Sequence, residues 1–212
     1  MGRRRFRTQE SYQRRGPTRE PYDAVLIVCE GEKTEPLYFE GLKAAYRLSN
    51  ANIVVAPMGK DPLSLVKYAI SELDKDASLT SAFCVFDRDG HATFIDALSK
   101  AHNSVHRTSG RLRLAVSIPC FEVWPLLHFG FSTAPIVASH GHTPGEVALA
   151  RLQEAMPAYS KGDRAIFGKL ADKMETGMKN AVRLAAHNRK TDSNNPSTDV
   201  HTLVEYLRRL KQ

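Results

Sequence analysis

The sequence has no apolar stretch that approaches the roughly 18 uninterrupted residues of a membrane helix. Nor does any apolar segment near Met1 resemble a signal peptide. The three cysteines, Cys29, Cys84 and Cys120, lie in or beside apolar runs, which favours buried thiols over a disulfide framework. We therefore expect a cytoplasmic protein without membrane contact.

Several catalytic motifs are also missing. The chain has no glycine-rich phosphate loop of the ATPase type and no serine in a nucleophile elbow. The spacing of its histidines and cysteines fits none of the usual structural zinc sites. These absences argue against an ATPase, a serine hydrolase and a zinc protein.

Positive charge is concentrated at the N-terminus. Residues 1–20 hold seven arginines and two glutamates, and so contribute +5 of the formal net charge of +7. Because the segment has almost no apolar residues, we expect residues 1–21 to be a basic flexible arm. Such an arm either grips phosphate backbones without sequence preference or is a solubilising terminus, and both interpretations stay open. The charge is therefore no evidence that the folded body binds nucleic acid.

After the arm, short apolar runs alternate with segments of helical periodicity. Strands separated by helices favour right-handed crossovers and a parallel sheet. We therefore predict an α/β fold, with a Rossmann-like, mostly parallel four-stranded sheet flanked by helices and a helical C-terminal part. The four predicted strands cover residues 24–29, 52–56, 82–86 and 113–118.

Helices are predicted for most of the chain between and after these strands. The last of these helices begins with Asn195 as N-cap and Pro196 at the first helical position. We divide the folded chain into an α/β domain at residues 22–130 and a helical C-terminal extension at residues 131–212, packed on the same domain. The predicted helices after the second strand cover residues 61–74, 91–107, 119–129 with a kink or break at Pro125, 144–156, 163–187 and 196–210.

Acidic residues follow two of the predicted strands. Glu30 comes directly after the first strand, and Asp87 and Asp89 come after the third. Open α/β sheets bind ligands at the carboxyl ends of their strands, so these carboxylates converge if the two strands are neighbours. Carboxylates held together repel one another unless a cation neutralises them, and oxygen ligands without a His or Cys cluster favour Mg²⁺ or Mn²⁺. We predict a metal site at Glu30, Asp87 and Asp89 that is suited to phosphate chemistry.

Other charged residues are candidates for the same site. Lys33 or Lys161 could stabilise charge on a phosphate, although for Lys161 the sequence favours the alternative of an exposed lysine beside a helix. Glu122 lies just beyond the fourth strand in an apolar setting and needs a metal ion or an arginine as partner. A water activated by the metal, alone or assisted by Glu32 or Glu122, is the candidate base. For the acidic residues at strand ends, capping of the next helix is the alternative role.

Four long motifs resemble, in the same order, the RloB-like family, which includes the AbiLii component of abortive-infection loci. This family is regarded as a Toprim-fold group, similar to the catalytic domains of topoisomerases, bacterial primases and OLD-type nucleases. The resemblance implies that Glu30 is the single Toprim glutamate and that Asp87 and Asp89 are the paired aspartates that bind Mg²⁺. The motifs are LIVCEGEKTEPLYFEGL (26–42), CVFDRDG (84–90), SIPCFEVWPLLHF (117–129) and NPSTDVHTLVEYL (195–207).

The resemblance also implies a function. The family is associated with restriction and phage-defence loci, often beside an ATPase gene. We therefore expect a Mg²⁺- or Mn²⁺-dependent nuclease that hydrolyses DNA or RNA, including tRNA, and that is held or triggered by an ATPase partner. The alternative is a non-catalytic regulatory subunit of that ATPase, which binds a metal or a nucleotide. The candidate catalytic residues are Glu30, Lys33, Asp87, Asp89 and Glu122.

Overall fold

The structure is a computed structural model that describes residues 24–48, 51–55, 61–88 and 90–210. The basic arm and Asp89 lie outside the described residues. Strands and helices alternate along the first half of the chain, and helices dominate the second half. In chain order the elements are β1 (Ala24–Cys29), α1 (Thr34–Tyr46), β2 (Ala51–Val55), α2 (Pro62–Lys75), β3 (Leu79–Asp87), α3 (Phe94–His102), α4 (Val105–Thr108), β4 (Leu112–Ile118), α5 (Val123–Leu126), α6 (Pro144–Ala155), α7 (Ile166–Ala171), α8 (Met174–Thr191), β5 (Ser197–Thr198) and α9 (Val200–Arg209).

The strands form one open sheet in the order β2-β1-β3-β4-β5. The first four strands are parallel, and β5 pairs antiparallel with the end of β4. The predicted Rossmann-like α/β class, with four mostly parallel strands flanked by helices, is confirmed. The two-residue strand β5 is an addition that the sequence does not indicate. Because β1, β3 and β4 are adjacent, their carboxyl ends meet at one edge of the sheet.

Helices cover both faces of this sheet. Alternate side chains of a strand point to opposite faces. Val25 and Ile27 enter a large core with α1 and the five helices that follow β4, whereas Leu26 and Val28 enter a smaller core with α2 and α3. The C-terminal helices thus pack on the same sheet face as α1. The boundary at residue 130 between an N-terminal domain and a C-terminal extension stays a prediction.

Three predicted helices are shorter than expected. Residues 91–107 contain the two helices α3 and α4, because the Ser104 hydroxyl accepts the His106 N–H at 3.2 Å and caps a new helix. Residues 163–187 are divided between α7 and α8, and residues 119–129 contain only the single turn α5 around Pro125. No helix in the described part of the chain is long and apolar enough to cross a membrane.

The predicted start of the last helix is wrong. Asn195 does not cap α9, which begins at Val200. The Asn195 side chain instead accepts the N–H of Ile136 at 3.1 Å and donates to the Ile136 carbonyl at 3.0 Å. Residues 197–198 then pair with β4, so this segment fastens the loop around Ile136 to the edge of the sheet.

Candidate active site

Glu30 and Asp87 lie side by side at the ends of β1 and β3. The Glu30 N–H donates to the Val85 carbonyl at 2.9 Å, which continues the pairing of these strands by one residue. The Asp87 N–H then donates to Glu30 Oε2 at 3.0 Å. The strand order therefore brings these two candidate residues together, whereas Asp89 lies outside the described residues.

The Asp87 carboxylate reaches the third strand end. Its Oδ2 atom accepts the N–H of Phe121 at 3.0 Å, just beyond β4. The N-cap of the next helix, α3, is Thr93, so Asp87 does not have the capping role that was its alternative. Main-chain groups thus fix the side chains of both Glu30 and Asp87.

Glu122 is buried beside this pair, with 2% of its surface exposed. Its Oε1 atom accepts the Tyr159 hydroxyl at 3.3 Å and lies 3.5 Å from Lys161 Nζ. The sequence predicted a metal ion or an arginine as its partner, but the protein partners are a tyrosine and a lysine. Lys161 lies 39 positions further along the chain, so nothing in the local sequence of Glu122 indicates it.

The loop between α6 and α7 carries Lys161 to the cleft. The Gly162 N–H donates to the Thr34 hydroxyl at 3.2 Å, which ties the loop to the first residue of α1. Gly162 has φ +84°, and a Cβ there would lie 3.2 Å from Lys33 Cδ. Glycine is required because both the left-handed backbone and the contact with Lys33 disfavour a side chain. Because the loop that carries Lys161 packs against Lys33, both lysines lie along the same rim of the cleft.

His91 is a site residue that the sequence analysis missed. Its Nε2 atom lies 2.7 Å from Glu30 Oε1, and its side chain is one-third exposed. His91 follows the turn after β3, and only this proximity to the acidic segment could have drawn attention to it. The two carboxylate oxygens of Glu30 are thus contacted by different groups, the Asp87 N–H and the His91 ring.

Glu35 contributes a further buried carboxyl group in the first turn of α1. Burial raises its pKa to about 7, and the nearby Glu122 and Glu30 act in the same direction. Its own backbone N–H and Lys161 oppose this rise in pKa. A Cβ on Gly31 would overlap the Glu35 carboxyl group, so the glycine makes room for it. Glu35 therefore adds to the acidity of the site.

These residues line one open cleft of about 440 Å³. Burial raises the pKa of Asp87 well above its usual range, and the neighbouring Glu35, Glu122 and Glu30 raise it further. Charges of one sign held together favour protonation unless a cation compensates them. The lining includes the carboxyl groups of Glu30, Glu32, Glu35, Asp87 and Glu122, the ammonium groups of Lys33 and Lys161, and the His91 ring.

The chemistry of this donor set fits a hard divalent cation. Carboxylate oxygens suit Mg²⁺ and Mn²⁺, and the cleft has no thiolate among its lining residues. Among the described residues, no group of three or more His, Cys, Asp or Glu side chains is arranged to hold one metal ion. Asp89, the third predicted ligand, is not among these described residues, so metal binding at this cleft stays a prediction.

Comparisons with known proteins agree with the sequence motifs. The chain matches the family described as RloB-like protein over residues 25–207, which is more than half of its length. The matched range includes β3, β4, all of β1 except its first residue, and the described residues of the cleft. Searches of curated proteins and of solved structures gave no significant match. The chain belongs to the RloB-like protein family, which confirms the family predicted from its motifs.

Proposed function

We propose that this RloB-like protein is a divalent-metal-dependent phosphodiesterase that hydrolyses DNA or RNA. The observation that supports this most strongly is the cleft where three adjacent strand ends bring together Glu30, Asp87 and Glu122, with Lys161 on its rim. We further propose that it is the nuclease effector of a restriction-linked or abortive-infection system and works with an ATPase encoded nearby. This biological setting rests on the family resemblance alone.

The charge of the cleft explains why a metal is part of the proposal. Five carboxyl side chains and two lysines line it, so the cleft by itself would repel a nucleic acid. Glu30 and Asp87, with Asp89, would hold Mg²⁺ or Mn²⁺. When bound, such an ion polarises the phosphoryl group and lowers the pKa of a water molecule.

Lys161 is suited to stabilise the charge that develops during hydrolysis. Its side chain is 57% exposed, and its ammonium group lies 3.5 Å from Glu122. An ammonium group at the mouth of a cleft can pair with a phosphoryl oxygen, where added negative charge makes the interaction stronger in the transition state than in the ground state. Lys33, exposed on the same rim, is a second candidate for this role.

Glu122 and Glu32 remain the candidate bases. Glu122 is buried and held by the Tyr159 hydroxyl, which gives its carboxylate a fixed orientation. Glu32 is exposed at the cleft and has more freedom to approach a substrate. His91 has a positioning role, because its ring contacts Oε1 of Glu30 while the Asp87 N–H contacts Oε2.

The direct test is cleavage of duplex DNA, single-stranded DNA and tRNA in Mg²⁺ or Mn²⁺, with and without the ATPase encoded beside the gene. Wild type should cleave at least one of these substrates, and Asp87→Asn should be about 10²-fold slower or worse. Asp172→Asn, which changes an exposed aspartate outside the cleft, is the matched control and should retain activity.

Two results would contradict the proposal. One is a wild-type protein that cleaves none of the substrates with either metal and with its partner present. The other is cleavage that Asp87→Asn leaves unchanged. Metal binding without cleavage would instead support the alternative function, a non-catalytic regulatory subunit of the ATPase.

A further inference from the structure

A second groove adjoins the acidic cleft. It lies between the start of α3, the end of β4 and the loop at residues 136–144, and has a volume of about 840 Å³. The groove and the cleft share His91, and Arg88 on the groove rim directly follows Asp87. A ligand whose phosphate occupies the cleft can therefore extend into this groove.

The lining of the groove contrasts with that of the cleft. None of the described residues that line it is acidic. Arg88 supplies a cation at the rim, and its main-chain N–H donates to the Ser117 carbonyl at 3.1 Å, which fixes it to the end of β4. The groove suits an uncharged, largely apolar group attached to an anion. Its apolar surface includes Phe94, Ile95, Ile118 and Val137.

Exposed apolar side chains are concentrated here. In the described part of the chain four large apolar side chains are exposed: Ile95 (65%), Val105 (74%), Val137 (55%) and Val182 (55%). Ile95 and Val137 both line the groove, whereas Val105 and Val182 do not. A single exposed apolar residue needs no explanation, but two at one concave surface with an apolar floor are typical of a ligand site.

The wall of the groove is held in place before any ligand binds. Asn195 fixes the backbone of Ile136 through two hydrogen bonds, at 3.1 and 3.0 Å. This contact fastens the loop at residues 136–144 to the segment that pairs with β4. Because this wall is already fixed, little conformational entropy is lost when a ligand binds. A fixed groove of this kind favours a small, rigid ligand that fits its shape.

Given the proposed phosphodiesterase function, we propose that the groove binds one unpaired nucleobase of the substrate, next to the phosphate held in the cleft. A base has flat apolar faces, which suit the isoleucine and valine walls, and it is attached through its sugar to phosphates, which suit Arg88. A base inside a duplex is stacked and paired, so it cannot enter such a groove. The enzyme should therefore act on single-stranded nucleic acid in preference to duplex.

A nucleobase fits the observations better than a protein partner does. The groove is concave, its volume lies in the range of small-ligand sites, roughly 300 to 1,000 Å³, and it continues the cleft. A protein surface of typical size would bury about 800 Å² on each partner and would not need this continuity with the acidic cleft.

The test uses aspartate substitutions at exposed valine and isoleucine residues. Ile95→Asp and Val137→Asp place a negative charge in the groove, and Val105→Asp and Val182→Asp are matched controls on exposed residues elsewhere. The full-length variants are assayed with Mn²⁺ on a single-stranded oligonucleotide, on its duplex and on an abasic strand of the same length, whose phosphodiesters carry no base. Binding of a nucleoside 5′-monophosphate and of ribose 5-phosphate is measured in parallel by calorimetry.

We expect wild type to prefer the single strand to the duplex. The groove variants should lose about tenfold or more in kcat/KM on the single strand, because the introduced carboxylate would lie unpaired against the apolar faces of the base. They should also bind the nucleoside monophosphate more weakly, with cleavage of the abasic strand and binding of ribose 5-phosphate unchanged. Both control variants should behave like wild type in every assay.

The outcomes separate this inference from the proposed function. Unchanged cleavage of the single strand by the groove variants, with an active wild type, overturns the nucleobase site alone. The same holds if these variants instead lose co-purification with the ATPase, because the groove is then a protein-binding surface. A wild type that hydrolyses none of the three substrates, yet binds the nucleoside monophosphate in a groove-dependent way, overturns the nuclease and supports the nucleobase site.

Discussion

The main-chain N–H of Asp87 donates to the carboxylate of Glu30 at 3.0 Å, so the last residue of β3 orients the residue that follows β1. The Asp87 side chain is in turn held by the N–H of Phe121. Each candidate ligand thus depends on the strand beside it. Substitutions to Gln and Asn keep the shape of these side chains and an acceptor oxygen, and they test charge more cleanly than substitutions to alanine.

Replacing Lys161 should reduce turnover more than binding. Lys161→Met removes the ammonium group 3.5 Å from Glu122 but keeps much of the side-chain volume. If this group stabilises the transition state, kcat should fall by about 10² to 10³ while KM changes little. Steady-state kinetics on an oligonucleotide measure both constants.

Two variants serve as references for this prediction. Lys161→Arg should recover part of kcat because it restores the positive charge, and Lys179→Met, at an exposed position on α8, should have no effect. If Lys161 were only an ion-pair partner of Glu122, Lys161→Met would lower the melting temperature and leave kcat unchanged.

Glu35→Gln should stabilise the metal-free protein at alkaline pH. The pKa of Glu35 is raised from 4.5 to about 7 in the folded state, so the unfolded state binds fewer protons between these values. Stability is therefore greatest below about pH 4.5 and falls as pH rises through 7, by about 3 kcal/mol for this group. In EDTA, the free energy of unfolding of Glu35→Gln, measured in urea, should increase relative to that of wild type by about this amount between pH 4.5 and 8.

Glu40→Gln is the control for this effect. Glu40 lies on the same helix but is exposed, so its substitution should change stability by a similar small amount at both pH values. A stability difference between wild type and Glu35→Gln that does not vary with pH would mean that Glu35 is not held protonated in the cleft.

Deleting residues 1–20 tests the basic arm. If its seven arginines bind phosphates, the deletion should weaken nucleic-acid binding. The slope of log K against log salt concentration should become shallower by about 0.7 to 0.9 for each phosphate that the arm neutralises. Hydrolysis of bis(p-nitrophenyl) phosphate should not change, and unchanged affinity for nucleic acid would leave the arm as a solubilising terminus.

The sequence predicted the part of the site that depends on strand order. Continuous apolar runs located β1 and β3, and the adjacency of parallel strands places Glu30 beside Asp87. The start of α2 was also predicted, because Asp61 followed by proline is a strong signal for a helix N-terminus. The Asp61 side chain does accept the Ser64 N–H as an N-cap. Local rules suffice wherever neighbouring residues decide the structure.

The parts that the sequence did not predict depend on distant contacts. The partners of Glu122 come from the loop between α6 and α7, and Gly162 and Thr34 join that loop to α1 across 128 positions. Asn195 gives a local signal for a helix cap, yet its side chain binds Ile136, 59 residues away, and β5 forms instead. In these places tertiary hydrogen bonds outweigh the local preference.

Thermal unfolding in Mn²⁺ tests whether Glu30 and Asp87 share a divalent-cation site. At a concentration roughly 100-fold above the dissociation constant, Mn²⁺ should stabilise wild type by about 2.7 kcal/mol, a rise in melting temperature of roughly 5 to 10 °C. Asp172→Asn should show the same rise, and Glu30→Gln and Asp87→Asn should abolish it. An equal rise in all four proteins, or none in wild type, would contradict the site.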